Sequence, residues 1–394
     1  MEFLGYLRPD GQAGIRNYVS IIPATSCANE LACAIADGTA GSVPILHNYG
    51  CLRLKPDNDR AHRTLVGLGR NPNVAATLIV SIGCGMLAPD AMAQEIASSG
   101  TPVELVTVKS AGGYQKAIDA GRSTVRSMMA KASLQQRVPL PLGRLCLGVK
   151  CGGSATISSA AGHPVTGHVV DSLIDEGGTA IFSETAEVIG AEHLLARRAV
   201  NERVRARLLE TVGRFERMIV DYGVDVRGAQ PTPGNISSGL TTLEEKSLGA
   251  LAKTGTRPLT GVLDYGERPD ASGLYLMDSP AWPSHMFLGM AAAGAQVFIF
   301  SLGGGVCGMF PSQPGAFRTP VVPTIKVSGD PSLKDEPGYL DFYAGTIIEG
   351  TESKEAAGER FLRAFVDIAS GQPSQQEFST YREVLDMYAS GPMM

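Results

Sequence analysis

The feature that most constrains the fold of this chain is an alternation of short apolar runs with helical segments. The runs Tyr18–Ile22, Thr77–Ile82 and Val103–Val108 are rich in β-branched residues, and each is followed by a turn and a helical pattern. Strands that are apolar throughout are buried on both faces, and strands separated by helices pair in parallel. The sequence therefore predicts an α/β fold with mostly parallel sheets flanked by helices, in Rossmann-like layers.

A break in this alternation divides the chain into two parts. Between residues 132 and 144 the prolines Pro139 and Pro141 interrupt any periodicity, and the alternation then restarts. A chain of 394 residues is too long for one ordinary domain and long enough for two. We predict an N-terminal α/β domain over residues 1–135 and a C-terminal α/β domain over residues 140–394.

Charge and cysteine usage exclude several classes of function. The chain has 34 Lys and Arg against 39 Asp and Glu, and no basic run is longer than Arg197-Arg198. A protein that binds the phosphate backbone needs a concentrated basic surface, so we expect no nucleic-acid partner. Seven cysteines without a regular spacing predict reduced thiols and a cytoplasmic protein.

Two further segments argue against a membrane span and against a nicotinamide cofactor. Residues 286–317 carry no charge, but they are rich in Gly and Ala, so we expect a helix and then a buried strand. The run Gly303–Gly308 matches the dinucleotide pattern G-x-G-x-x-G. The run Met309–Pro314 that follows contains two prolines and cannot supply the helix that this motif needs, so we expect no NAD.

Reactive and charged side chains follow the predicted strands directly. In open parallel sheets, ligands bind outside the carboxyl ends of the strands, where loops converge and helix N-termini point at the ligand. We therefore predict that the loops after the strands meet in one anion-accepting pocket. The pairs concerned are Ser26-Cys27, Gly83-Cys84, Lys109-Ser110, Lys150-Cys151 and Ser183-Glu184.

Lys150 and Glu184 from this set, and Glu187 three residues further on, have alternative interpretations. Lys150 lies between an apolar strand and a Gly-rich turn, where burial would lower the pKa of its amine and make it a general base. An ammonium that anchors a carboxylate without proton transfer fits the same position. Glu184, at a strand end, is predicted to be a catalytic group or a ligand for a hard cation. Glu187, in a first helical turn, is also explained by the helix dipole alone.

Thiols and an imidazole form a second pool of candidate residues. His47 and Cys51 lie four residues apart in a predicted loop, and Cys84 and Cys151 directly follow strands. Thiolate and imidazole are good ligands for iron or zinc. No two cysteines form C-x-x-C, so a closed structural zinc site is not expected. An iron–sulfur cluster held by three cysteines and ordinary buried cysteines are both left open.

Several sequence blocks, in this order along almost the whole chain, carry a family resemblance. They are Gly5-Tyr6-Leu-Arg8-x-Asp10-Gly11-x-x-Gly14-x-Arg16-Asn17, His47-x-x-Gly50-Cys51, Gly83-Cys84, Lys150-Cys151-Gly152-Gly153-Ser154, Gly239-Leu-Thr-Thr-Leu-Glu-Glu-Lys246-Ser247-Leu-Gly249 and Pro323-Thr-Ile-Lys326. Together these blocks resemble the altronate/galactarate dehydratase family. The sequence is also similar to the large subunit of the sulfolactate sulfo-lyases.

The resemblance implies a lyase that acts on a 2-hydroxy acid with Fe²⁺ or Mn²⁺ and eliminates a group β to the carboxylate. The implied reaction is the dehydration of a sugar acid to a 2-keto-3-deoxy acid, with sulfolactate-type C–S cleavage as the alternative. For this reaction our hypothesis assigns catalytic roles to Lys150, His47 and Glu184, substrate-binding roles to Arg16, Asn17, Ser154 and Lys246, and metal-binding roles to Cys51, Cys84, Cys151 and Glu187.

The resemblance also predicts partners. Some family members carry a small N-terminal β-clip (SAF) domain, whereas this chain starts at the Gly-Tyr-x-Arg block, so we expect a separate small subunit and a homo-oligomer. Gly85, Ala155 and Tyr343 stand where the family commonly has polar residues, and Gly303-Gly304-Gly305 replaces a Gly-Arg-Gly turn. These departures favour a smaller or less hydroxylated substrate and leave a diverged, non-catalytic subunit as a further alternative.

Overall fold

The N-terminal half of the chain forms a four-stranded parallel sheet. The structure, a computed structural model, describes residues 1–225, 230–303, 319–379 and 384–391. The elements of this half are β1 Glu2–Leu7, β2 Ala13–Gly14, β3 Tyr18–Pro23, α1 Asn29–Asp37, β4 Ser42–Pro44, α2 Lys55–Gly69, β5 Val74–Ser81, α3 Pro89–Ala97, β6 Val103–Thr107, α4 Val108–Ala111, α5 Tyr114–Ala132 and β7 Val138–Pro141. The strand order is β4-β3-β5-β6, and the apolar strand β5 is buried along its whole length.

The C-terminal half forms a seven-stranded parallel sheet in the order β10-β11-β9-β8-β12-β13-β14. Its elements are β8 Cys146–Gly152, α6 His163–Asp175, β9 Thr179–Ser183, α7 Glu192–Arg197, α8 Glu202–Asp221, α9 Pro233–Ser237, α10 Leu243–Leu251, β10 Leu259–Leu263, β11 Gly273–Met277, α11 Pro283–Ala292, β12 Val297–Leu302, β13 Thr324–Ser328, β14 Phe342–Tyr343 and α12 Lys354–Ala369. Two parallel sheets flanked by helices confirm the predicted α/β fold.

The charge-free segment folds as the sequence predicts where the structure describes it. Helix α11 is followed by the strand β12, and every residue of β12 is buried. Among the described residues, no helix is long and apolar enough to cross a membrane. The glycine motif that begins at Gly303 continues into residues 304–308, which lie outside the described ranges.

Buried asparagines join the two halves. The side-chain amide of Asn73 donates to the carbonyls of Gln296 and Val321, at 2.7 and 2.9 Å. The amide of Asn71 donates to the carbonyls of Ala291 and Ala295 at the end of α11. Side chains from both sheets share one hydrophobic cluster around α2 and α11. The halves are therefore held together by buried hydrogen bonds as well as by apolar contacts.

The end of the chain returns to the N-terminal half. Residues 384–391, called here the C-terminal strap, lie along the loop that contains His47: the N–H of Leu385 donates to the carbonyl of Leu46 at 2.7 Å. The Tyr49 hydroxyl donates to the carbonyl of Met387, also at 2.7 Å. The buried carboxylate of Asp57, at the start of α2, accepts from the N–H groups of residues 390 and 391. The strap thus closes over the N-terminal sheet.

Candidate active site

A buried ion pair lies at the carboxyl ends of two neighbouring strands. Lys150, near the end of β8, donates from its ammonium to the carboxylate of Glu184, which directly follows β9. Both side chains are almost fully buried, with 4% and 3% of their surface exposed. The backbone of Glu184 has a φ of +83°, which is uncommon outside glycine. Strained backbone of this kind concentrates at functional sites, and here it directs a carboxylate toward Lys150.

A second buried chain of contacts lies beside this pair. The thiol of Cys151 donates to one carboxylate oxygen of Glu187, and the ammonium of Lys253 donates to the other. Lys253 follows α10 in a short 3₁₀ turn and is 1% exposed. The hydroxyl of Ser154 lies 3.4 Å from the sulfur of Cys151. Both oxygens of Glu187 are therefore already engaged by the protein.

A third lysine borders both groups. The ammonium of Lys246, on α10, donates to the side-chain oxygen of Gln230 at 2.6 Å and lies 4.0 Å from the carboxylate of Glu184. Lys253 follows Lys246 by seven residues, in the 3₁₀ turn after α10. We call Lys150, Cys151, Glu184, Glu187, Lys246 and Lys253 the buried charge cluster.

The buried charge cluster carries an excess of positive charge. It combines three ammonium groups with two carboxylates inside the part of the chain that the structure describes. Burial raises the pKa of Glu187, but the ammonium groups of Lys253 and Lys150 outweigh this effect, so its pKa lies well below the ordinary value. Among the described residues of the cluster the ammonium groups thus outnumber the carboxylates, and in a desolvated site this excess favours the binding of an anion.

The pKa of Lys150 is shifted in the direction opposite to the one that the sequence predicts. Burial by itself lowers the pKa of Lys150, but the carboxylates of Glu184 and Glu187 raise it more, and the pKa lies above its ordinary value. A raised pKa keeps the amine protonated and favours the second interpretation of Lys150, an ammonium that holds negative charge, and the catalytic role of Lys150 stays a prediction.

His163 is a neighbour of the cluster that the sequence motifs did not single out. Burial and the nearby Lys253 ammonium lower the pKa of His163 to about 4, so the ring is neutral. Its Nδ1 donates to the carbonyl of Gly249 at 2.8 Å. Its buried Nε2 has no hydrogen-bond partner among the described residues. A buried nitrogen whose lone pair has no donor can accept a hydrogen bond from a ligand.

Two predicted substrate-binding residues lie in a different place, at the junction of the two halves. All five N–H donors of Arg16 contact protein acceptors, including both carboxylate oxygens of Glu377 at 2.7 Å. Asn17 accepts from the guanidinium of Arg8 and donates to the carbonyl of Ala132. The structure thus brings Ser154 and Lys246 to the cluster, and it places Arg16 and Asn17 in a structural network.

His47 is likewise engaged by the backbone around it. Its Nε2 donates to the carbonyl of Pro23 at 2.6 Å, and its Nδ1 accepts from the N–H of Tyr49 at 3.1 Å. Burial lowers the pKa of His47 to about 4. Both ring nitrogens are used, so a catalytic role for His47, which stays a prediction, would require one of these hydrogen bonds to break.

This burial predicts a pH dependence of stability. The neutral ring is the folded form, so His47 contributes its full stabilisation above the unfolded pKa of about 6.5 and loses it as the pH falls toward 4. We expect His47 to account for about 3 kcal/mol of the stability lost between pH 7 and pH 4. Urea unfolding of the wild type and of His47→Gln at both pH values measures this share. An equal pH-dependent loss in the two proteins would contradict it.

The predicted metal ligands do not form one group. Cys51 and Cys84 lie in loops of the N-terminal sheet, where the N–H of Met86 contacts the carbonyl of Gly50. Cys151 lies at the other sheet, paired with Glu187. In the described parts of the chain, no three His, Cys, Asp or Glu side chains are placed to share one ion. The residues present therefore do not fit a metal site, and metal dependence stays a prediction to which we assign no chemical step.

Comparison with known proteins agrees with the motifs. The family model "D-galactarate/Altronate dehydratase, C-terminal" matches residues 142–390, and "D-galactarate dehydratase/Altronate hydrolase, second domain" matches residues 5–133. The chain is 34% identical to the (2R)-sulfolactate sulfo-lyase subunit beta of Chromohalobacter salexigens, over 97% of this chain and 96% of that protein. It is 31% identical to the altronate dehydratase of Bacillus subtilis and 30% identical to that of Escherichia coli, over 99% and 98% of this chain and 78% and 77% of theirs. These relatives are lyases, and one of them is named as a subunit of a larger enzyme. The chain belongs to the D-galactarate/altronate dehydratase family.

Proposed function

We propose that this protein is a lyase that removes the proton at C2 of a 2-hydroxy acid and expels a group from C3. The observation that supports this best is the excess of ammonium groups over carboxylates among the described residues of the buried charge cluster. Removing a proton next to a carboxylate creates an enediolate dianion, and its charge dominates the barrier. A desolvated site with surplus ammonium groups stabilises such a dianion much more strongly than water does.

The ion pair of Lys150 and Glu184 suits the first step. Glu184 is the carboxylate that we propose as the base for the C2 proton. When it takes the proton it becomes neutral, and the charge of the Lys150 ammonium is then free to hold the enediolate. Lys246, 4.0 Å from Glu184, adds a second cation on the same side. The C–H bond breaks as the enediolate forms, and the C3 substituent leaves with its electron pair; a departing hydroxide takes the proton from Glu184 and becomes water, whereas sulfite leaves as the anion. The enol then gives up its O–H proton and takes a proton at C3, which yields the 2-keto acid.

The leaving group divides this proposal into two reactions. Loss of hydroxide from a sugar acid is the dehydration that the altronate dehydratase relatives support. Loss of sulfite from sulfolactate is the second candidate, because the sulfo-lyase subunit matches along nearly the full length of both proteins. Both reactions share the proton transfer at C2, so the buried charge cluster serves either. We also propose a separate small subunit, since that relative is named as a subunit beta.

A substrate screen tests the proposal. Purified protein is incubated with altronate, galactarate and (2R)-sulfolactate, alone and with a candidate small β-clip subunit, and 2-keto acid and sulfite are measured. We expect 2-keto acid from at least one of these substrates, and sulfite in equal amount if the substrate is sulfolactate. Absence of 2-keto acid from every substrate, with the subunit present, would contradict a catalytic role.

A further inference from the structure

The contacts of Glu187 are those of a carboxylate that already holds a cation. One of its oxygens accepts from the thiol of Cys151, and the other accepts from the ammonium of Lys253. The second donor bond of that ammonium goes to the carbonyl of Ala250 at 3.3 Å. Lys253 and Glu187 are 1% and 3% exposed, so water does not screen their attraction.

This arrangement disfavours the binding of a divalent metal ion by Cys151 and Glu187. A metal ion would need a lone pair from a carboxylate oxygen and a deprotonated thiol. Here the thiol donates a hydrogen bond, and the carboxylate is paired with an ammonium group. His163, the nearest imidazole with a buried unpaired nitrogen, does not join Cys151 and Glu187 in a three-ligand group within the described ranges. Adding a dication beside three ammonium groups would also bring like charges together in a site of low dielectric constant.

We infer that the ammonium of Lys253 is the resident cation of the Cys151–Glu187 pair and takes the place that a metal ion would occupy there. Lys253 is then a positioning residue: it fixes Glu187, which fixes the thiol of Cys151 at the end of β8. Cys151 is the chain neighbour of Lys150, so this contact also fixes the strand end that carries the proposed catalytic ammonium.

Cobalt absorption tests the inference without any need for turnover, and its outcome is independent of the substrate screen. Metal-free wild type and Cys151→Ser are titrated with Co²⁺ under anaerobic conditions, and the thiolate-to-cobalt charge-transfer band is recorded. We expect identical spectra from the two proteins, because Cys151 does not bind the ion. A band in the wild type that Cys151→Ser removes would overturn the inference.

A double-mutant cycle tests the positioning contact. Lys253→Met leaves the Glu187 carboxylate buried and unpaired, so we expect the folding equilibrium constant to fall by about 100- to 1000-fold. In Lys253→Met/Glu187→Gln the charge is absent, and most of that loss should be recovered. Lys334→Met, which removes an exposed lysine paired with Glu349, is the matched control and should change the constant by less than about tenfold. Additive effects of the two cluster substitutions would overturn the inference.

Discussion

Lys150→Met is expected to lower kcat/KM for the accepted 2-hydroxy acid by about 10³-fold. The substitution keeps an unbranched side chain of similar length and removes the cation that faces the developing enediolate. Lys150→Arg keeps the positive charge, so it should retain more activity than the Met variant if Lys150 acts through its charge. Steady-state release of 2-keto acid measures all three proteins.

Controls separate this effect from loss of the fold. Removing Lys150 leaves Glu184 buried without its partner, and this costs about 3 to 5 kcal/mol of stability. Circular dichroism and thermal unfolding therefore establish that the variant is folded at the assay temperature. Lys55→Met removes an exposed lysine paired with Asp59 on the surface of α2, and its activity should equal that of the wild type. Turnover by Lys150→Met within tenfold of wild type would remove Lys150 from the chemistry.

Arg16→Met is expected to destabilise the protein by about 3 to 5 kcal/mol. The guanidinium of Arg16 forms a two-pronged ion pair with Glu377 and also donates to three backbone carbonyls. Its removal takes the charged partner from the partly buried carboxylate of Glu377, which keeps the Tyr18 hydroxyl and the Ser374 N–H as donors. Urea unfolding at neutral pH measures the loss, and the KM of the folded fraction should stay that of the wild type.

A double-mutant cycle with Glu377→Gln gives the share of this loss that comes from the ion pair. Because the two side chains are in direct contact, the combined variant should be less destabilised than the sum of the single variants. A large rise in KM for Arg16→Met at unchanged stability would instead support the substrate-anchoring role that the family resemblance implies.

Local apolar pattern predicts the strands that are buried on both faces, and it misses those that depend on distant partners. β5 is apolar except for Thr77 and Ser81 and is buried throughout, and it is predicted within a few residues. β11 is an interior strand of the larger sheet, yet its five residues lie among Gly, Ser and Asp and give no clear signal. Its burial comes from β9 and β10, which flank it. β1 and β7 pair across more than a hundred residues, and no local pattern records that contact.

The part of the candidate site that lies at strand ends can be predicted from the sequence. Lys150, Cys151 and Glu184 follow strands, and the topology of a parallel sheet brings such residues to one edge. Lys253 lies in the 3₁₀ turn after α10, at neither a strand end nor a sequence motif, so the sequence did not predict its place in the cluster. Arg16 could not be placed, because its partner Glu377 lies 361 residues away.

The C-terminal strap is synthesised long after the loop that it contacts. Tyr49 and Met387, joined by a hydrogen bond, are 338 residues apart in the chain. The loop around Tyr49 therefore leaves the ribosome long before Met387 has been synthesised. The apolar surface of this loop stays exposed to solvent during that part of translation. Chaperone binding to nascent chains should concentrate on this loop, and release should coincide with the synthesis of the C-terminal strap.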